Sequence, residues 1–260
     1  MNDSNYADSL TQDIKDSCYE IISKNVNLYC LSFNNPQRSS EMFNRFKSIG
    51  LDITIFEGIP IDDPRIADNN IRKTTIDTKR CWSVTYGHLT NIRNFYNSGK
   101  DFGIFCENDV LVNKNLPFFL PYIMDEFNQM NLDSLLLGYM TNWKLEEWMQ
   151  GYGLKQHFNN RPYKYLNYPN DLWGIHCLML GRKGAKKILD EFEGRADEWI
   201  NHESGFSPDW TLTKIGNRAL ITPMFVVENG EDDMDHYKHI GQCNFHKNTY
   251  LANYISGVFV

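Results

Sequence analysis

The sequence predicts an α/β fold, and three observations carry that expectation. Short apolar runs without helical period recur at 26–33, 51–56, 102–106, 134–137, 174–180 and 219–227. Amphipathic helical patterns separate most of them, and a polar triplet, Glu107-Asn108-Asp109, stands directly behind the run at 102–106. Alternating strands and helices imply a sheet covered by helices, with ligands bound beyond the carboxyl ends of the strands.

Taken in order, residues 9–24 space Leu10, Ile14, Cys18, Ile21 and Ile22 as an amphipathic helix, suited to packing or to self-association into a homo-oligomer. Residues 1–25 therefore read as a helical extension and 26–260 as a single domain. Val26 to Phe33 is the first strand. Asn35 can cap the next helix with Pro36 in its first turn, and Met42, Phe43, Phe46 and Ile49 line one face before Gly50 stops it. Leu51 to Phe56 is the second strand, which completes a βαβ unit and implies parallel pairing. Residues 60–80 are polar and irregular, ending in Arg72-Lys73 and Lys79-Arg80, a loop long enough to be functional.

Ser83 is placed to cap a helix running to Ser98 that buries Leu89, Ile92 and Phe95. Phe102 to Cys106 is the central strand. Side chains alternate along extended backbone, so Glu107 and Asp109 are expected to face the same way, with Val110 and Val112 resuming the apolar pattern. Pro117 to Phe127 reads as a helix with Phe119, Tyr122, Ile123 and Phe127 inward, followed by a strand over Ser134 to Leu137. Residues 139–173 are rich in Trp, Tyr, Asn and Gly, including Trp143, Trp148, Tyr152, Tyr163, Tyr165, Tyr168 and Trp173. They suit either a saccharide-stacking surface or a loop stapled by aromatic rings. Gly174 to Leu180 is a strand, and Arg182 to Phe192 a helix with Ala185, Ile188, Leu189 and Phe192 inward, stopped by Gly194. Ser207-Pro208 marks a helix start, Ala219 to Val227 the last strand, and an acidic tail follows with Glu231, Asp232, Asp233, Asp235, His236, His239 and His246.

Composition narrows the function. Of 260 residues, 42% are hydrophobic and 23% charged, ordinary for a globular protein. No apolar run reaches the ~20 residues of a membrane span. Met1 to Asp16 lacks the basic start and apolar centre of a secretory signal, so a cytoplasmic protein is expected. The formal charge of −7 argues against general nucleic-acid binding. Cys18, Cys30, Cys81, Cys106, Cys177 and Cys243 form no C-x-x-C pair and read as reduced, mostly buried thiols. The chain holds no G-x-G-x-x-G after its first strand, no P-loop and no G-x-S-x-G, which disfavours dinucleotide oxidoreductases, P-loop NTPases and serine hydrolases. Glu107 and Asp109 at a strand end suit a hard divalent cation that completes its shell with water and phosphate oxygens.

The ordered segments YCLSFNNPQRSSEMFNRFKSIGLDITIFEGIP, WSVTYGHLTNIRNFYNSGKDFGIFCENDVLV, WGIHCLMLGRKGAKKIL and SPDWTL together resemble glycosyltransferase family 25, over roughly residues 27 to 227. The resemblance implies a GT-A, Rossmann-like nucleotide-diphospho-sugar transferase fold, a divalent metal (manganese or magnesium), an inverting mechanism, a UDP-sugar donor and a glycan or glycosylated-protein acceptor. It puts Ser32, Arg38, Glu57 and Gly58 on the donor side, His88 on the helix before the metal motif, and Glu107-Asn108-Asp109 where the family shows Glu-Asp-Asp. Asn108, an amide in place of a carboxylate, is assigned to donor binding; Asp109 and Glu107 are the metal ligands. Trp82 to His88 follows the family's glycine-rich segment only loosely.

Within that reading, Lys79 and Arg80 are candidate clamps for the diphosphate, or alternatively a solvated basic turn. Asp209 matches the family's late carboxylate and is the candidate general base, or alternatively a first-turn carboxylate favoured by the helix dipole. Of the late histidines, His246 is the candidate third metal ligand, since Cys243-x-x-His246 sets a sulfur and an imidazole in one turn. Two other classes stay open. A catalytically inactive nucleotide-sugar or glycan-binding domain would release no nucleotide, and a nucleotidyltransferase would liberate pyrophosphate.

Overall fold

The computed structural model describes residues 6–67, 76–141, 153–170, 172, 174–193, 207–230 and 240–260. The expected α/β class is found as a mixed sheet of eight strands in the order β2-β1-β3-β8-β5-β9-β7-β6. Helices α1 (Tyr6–Ser9) and α2 (Gln12–Asn25) run straight into β1 (Val26–Ser32). α3 (Pro36–Ser48) then leads to β2 (Thr54–Glu57), and β1 and β2 pair in parallel as the βαβ pattern requires. After α4 (Pro64–Ala67) comes the long helix α5 (Ile76–Ser98), which feeds β3 (Phe102–Glu107), also parallel to β1.

β4 (Val110–Val112) leaves the main sheet, and α6 (Leu116–Gln129) precedes β5 (Ser134–Gly138). β6 (Leu154–Gln156) and β7 (Lys164–Asn167) extend the sheet edge, and β8 (Cys177–Gly181) inserts antiparallel between β3 and β5. α7 (Arg182–Phe192), the short α8 (Pro208–Thr211), β9 (Arg218–Thr222), β10 (Val226–Glu228) and α9 (Ile240–Asn253) complete the chain. β10 pairs antiparallel with β4 as a separate small sheet. No described helix is long and apolar enough to cross a membrane.

The period-2 alternation of strand side chains builds two cores, one on each face. Leu28, Cys30, Ile104, Cys106, Leu135, Leu137, Cys177 and Met179 share a cluster with Met42 and Phe46 of α3 and Phe119, Ile123 and Phe127 of α6. Tyr29, Phe105, Leu136, Leu178 and Leu180 share the other with Leu89, Ile92 and Phe95 of α5 and Ala185, Ile188, Leu189 and Phe192 of α7. The described cysteines are all free; Cys18, Cys30, Cys106 and Cys177 are buried, and Cys81 is exposed.

Several sequence expectations need correction. Ser83 caps nothing: α5 starts at Ile76, and the Ser83 hydroxyl, inside the helix, donates to the Ile59 carbonyl. Tyr122 is exposed, covered by the Arg161 guanidinium 3.9 Å from its ring centre. The apolar run at 219–227 is two strands, broken at Pro223, whose peptide bond with Thr222 is cis. Within the stretch read as an acidic tail, Ile240–Asn253 form the helix α9. The sequence residues Arg72, Lys73, Trp143, Trp148, Tyr152, Trp173, Gly194, Glu231, Asp232, Asp233, Asp235, His236 and His239 lie outside the described residues.

The aromatic segment, open between two readings, is decided at three of its rings. Tyr163, Tyr165 and Tyr168 are buried at 2%, 0% and 5% exposure, so these rings are core and not a sugar-stacking face. The anchor of Tyr163 and Tyr165 is Glu126 of α6, itself buried, whose carboxylate accepts from Arg161 Nε at 2.7 Å and from the hydroxyls of Tyr163 at 2.9 Å and Tyr165 at 2.6 Å. Burial first, and then the negative carboxylate, raises the Tyr163 hydroxyl above its ordinary pKa. A buried carboxylate is tolerable only with such partners, and removing one member strands the rest. Glu126→Ala is accordingly expected to cost about 3 kcal/mol or more, measured as a lower urea midpoint with an unchanged denaturant slope.

Candidate functional site

The site forms where β1, β2 and β3 present their carboxyl ends. Past Ser32 the chain turns sharply, with Asn34 at φ +47°, and Asn35 caps α3 by accepting the Arg38 N–H at 3.0 Å. The Asn34 N–H donates to Glu57 Oε1 at 2.6 Å, and the Gly58 N–H donates to the Ser32 carbonyl at 2.6 Å. These two bonds tie the end of β2 to the end of β1. At Gly58 a Cβ would stand 3.1 Å from Phe33 Cβ, so glycine allows the two turns to close against each other.

The resulting cleft, of about 210 Å³, is lined by Leu31, Phe33, Asn35, Arg38, Gly58, Ser83, Val84, Glu107 and Asn108. Whole-ligand sites commonly measure ~300–1,000 Å³, so this cleft accommodates part of a nucleotide-sized ligand. Four of the sequence-selected residues, Arg38, Gly58, Glu107 and Asn108, are brought together on its wall. Ser32 is placed beneath it, buried, with its hydroxyl accepting from Ser39 Oγ and from Asn108 Nδ2, both at 2.8 Å. Asn108 thus spends its amide on orienting the turn. Glu57 is exposed and supports the turn through the Asn34 N–H. Lys79 and Arg80 do not end a loop; they sit in the first turns of α5, and neither lines the cleft, although Ser83 and Val84 one turn further on do.

Glu107 and Asp109 do not share a face by strand alternation. β3 ends at Glu107, Asn108 and Asp109 form a turn, and β4 starts a different sheet. The backbone at Asp109 is fixed from across the small sheet, its carbonyl accepting the Asn229 N–H at 2.6 Å. Glu107 stays at the cleft, its side chain 31% exposed, with His88 Nε2 of α5 3.5 Å from its Oε1.

Asp209 opens α8, which packs against α5. Part of the residue is open to solvent, but its carboxyl group is set inside the protein, where burial and then the negative charge of Glu107 push its pKa up. Nearby His176, the Ser207 hydroxyl at 3.2 Å and the Ile175 N–H work in the opposite direction. The fold therefore brings Asp209 into the electrostatic field of Glu107, far away in sequence.

His246 is buried on α9 with Nδ1 against Glu228 Oε2, and His176 Nε2 stands 3.5 Å from the same oxygen and 2.7 Å from Met140 Sδ. Glu228 ends β10 opposite Val110, the residue after Asp109. His246 thus engages a buried carboxylate; the Cys243 side chain lies outside what is described. Glu228 and His176 were missed in the sequence. The only local signals were a carboxylate closing the apolar pair Val226-Val227 and an imidazole just before a strand.

Among the described residues, no group of three His, Cys, Asp or Glu side chains is arranged to hold a metal ion. Of the two carboxylates at the β3 turn, Glu107 lines the open cleft and Asp109 keeps Oδ1 buried; as hard oxygen donors they fit a divalent cation shared with a phosphate ligand and water better than an all-protein cage.

No family model matches this chain, and no curated protein does. Among solved structures, one match is the crystal structure of UDP-glucose pyrophosphorylase complexed with UDP-glucose. It is 12% identical over 68% of this chain and 67% of that chain, with a TM-score of 0.31. A likeness of that degree carries no argument about this chain.

Proposed function

We propose that the chain is a metal-dependent, inverting glycosyltransferase of GT-A fold that moves a sugar from a UDP-sugar to a hydroxyl of a glycan or glycosylated protein. The reading rests on the ordered residue set that resembles glycosyltransferase family 25. Its main structural support is that Arg38, Gly58, Glu107 and Asn108 from that set line one cleft at the strand ends, with Asp209 close enough to feel the charge of Glu107.

In this mechanism Arg38 provides positive charge beside the diphosphate, and the glycine at 58 lets ligand and backbone approach closely. Glu107 and Asp109 would hold manganese or magnesium, which when bound offsets the negative charge growing on the departing diphosphate. Asp209 takes the proton from the acceptor hydroxyl as that oxygen attacks the anomeric carbon from the face opposite the diphosphate. Its raised pKa makes it a stronger base than an ordinary aspartate once ionised.

One observation favours a second reading. Asn108 stands where the family has a carboxylate and is engaged with Ser32, which would suit an inactive nucleotide-sugar or glycan-binding domain. A thermal-shift panel of nucleotide sugars with and without manganese tests both readings. At a hundredfold excess over Kd a native-state ligand adds about 2.7 kcal/mol of apparent stability, or ~5–10 °C. A manganese-dependent shift with a UDP-sugar, accompanied by slow release of UDP, is expected. A shift without UDP release selects the binding domain, and no shift with any nucleotide sugar overturns both.

A further inference from the structure

We infer that His88 and Asn91 form a buried water-binding site beneath the cleft, and that His88 acts through it as a positioning residue for Glu107. The argument starts at Gly87. A Cβ there would meet Leu31 Cδ1 at 2.6 Å, so glycine lets α5 lie closely against β1. That approach carries the next residue, His88, under the end of β3 with 0% exposure.

His88 Nε2 stands 3.5 Å from Glu107 Oε1, beyond the ~2.7–3.2 Å of a direct N–H···O bond. Asn91, one turn further along the same helix face, is 1% exposed. Both nitrogens of His88 and both polar atoms of the Asn91 amide are buried without a hydrogen bond among the described residues.

Four such atoms on consecutive turns are far outside what a folded protein leaves unpaired. An amide supplies two donors and an acceptor, and a neutral imidazole one of each, which together match a water needing two to four polar partners. Water held between Asn91 and His88 fixes the ring, and the ring in turn limits the directions available to the Glu107 carboxylate. A dry apolar neighbour in place of Asn91 would leave the ring free to turn.

The test needs no nucleotide or sugar. In a high-resolution crystal structure of the full chain, an ordered water within hydrogen-bond reach of both the Asn91 amide and a His88 ring nitrogen is expected; a dry contact between them overturns the inference. In solution, Asn91→Leu should shift the ring-nitrogen resonances of His88 and lower the thermal midpoint, while Asn91→Ser, which keeps a hydroxyl for the water, should hold those resonances near their wild-type positions. A raised midpoint with unmoved His88 resonances in Asn91→Leu would mean that the amide was merely unpaired, and would overturn the inference. A chain that bound no UDP-sugar would count against the proposed function and leave these results standing.

Discussion

Asp209→Asn should lower turnover by ~100- to 10,000-fold, the usual contribution of a general base, with UDP-sugar affinity close to wild type. The amide keeps the shape of the carboxylate and can still accept from the Ile175 N–H, one of the bonds that orient Asp209. What it loses is basicity. Burial, first, and the charge of Glu107 hold the Asp209 proton past the ordinary aspartate range, so the acid limb of the pH–rate profile should lie above that range and be absent from the variant.

The linkage gives an independent check of sign. A carboxyl whose folded pKa is raised binds its proton more tightly in the native state, so its contribution to stability is present at low pH and lost as pH rises through the folded pKa. At neutral pH the native chain holds Asp209 against its preference, and the uncharged Asn variant should be no less stable than wild type. Wild-type turnover in the variant, or donor binding lost in step with rate, would remove Asp209 from the acceptor side.

How much of this was legible in the sequence depended on the range of the forces involved. Arg182 to Phe192 was read residue for residue because its helical period, with Ala185, Ile188, Leu189 and Phe192 inward, is local information. The β1–α3–β2 unit was legible for the same reason, helped by the Asn35 cap and Pro36. The start of α5 was not, because Ile76 to Arg80 is polar enough to pass for loop while Ser83 looked like a cap; its hydroxyl found the Ile59 carbonyl instead. β6 and β7 escaped because their strand state comes from pairing outward from β9. Tyr163 and Tyr165 belong to the core because Glu126 of α6 receives their hydroxyls, a partner no local pattern shows.

At the site, Glu107 could be picked out in advance because it closes an apolar strand run, whereas Arg38, which lies inside α3, and Gly58 and Asn108 came only with the resemblance to glycosyltransferase family 25. The supporting groups could not. Among them only His88 is marked, and by the resemblance alone; Gly87 and Asn91 lie within a helix, and Glu228 and His176 reach the same edge only through the antiparallel pairing of β10 with β4 and of β8 with β3. Their meeting is a property of the assembled sheet edge.

Asp109→Ala should weaken manganese binding in the presence of UDP by ~100-fold or more, since losing even an outer-shell partner of a metal site typically costs ~10–100-fold. The variant should fold. Asp109 is in the turn between β3 and β4, and the turn is secured through its backbone: the Asp109 carbonyl accepts the Asn229 N–H at 2.6 Å, and β4 pairs along its length with β10. Truncation at Cβ leaves both intact. Calorimetric titration of manganese into chain plus UDP reads the affinity, and a thermal scan of the same sample reads the fold. Glu107→Gln is the informative companion, since it retains the side-chain length at the cleft wall while removing the charge that raises the Asp209 pKa. If both carboxylates serve the cation, each variant weakens manganese binding, and Glu107→Gln alone also moves the acid limb of the pH–rate profile toward the ordinary aspartate range. Unchanged manganese affinity in Asp109→Ala, with the fold retained, would take Asp109 out of the metal site and leave the cleft with a single candidate carboxylate, too few to support the proposed metal-dependent chemistry on the protein side.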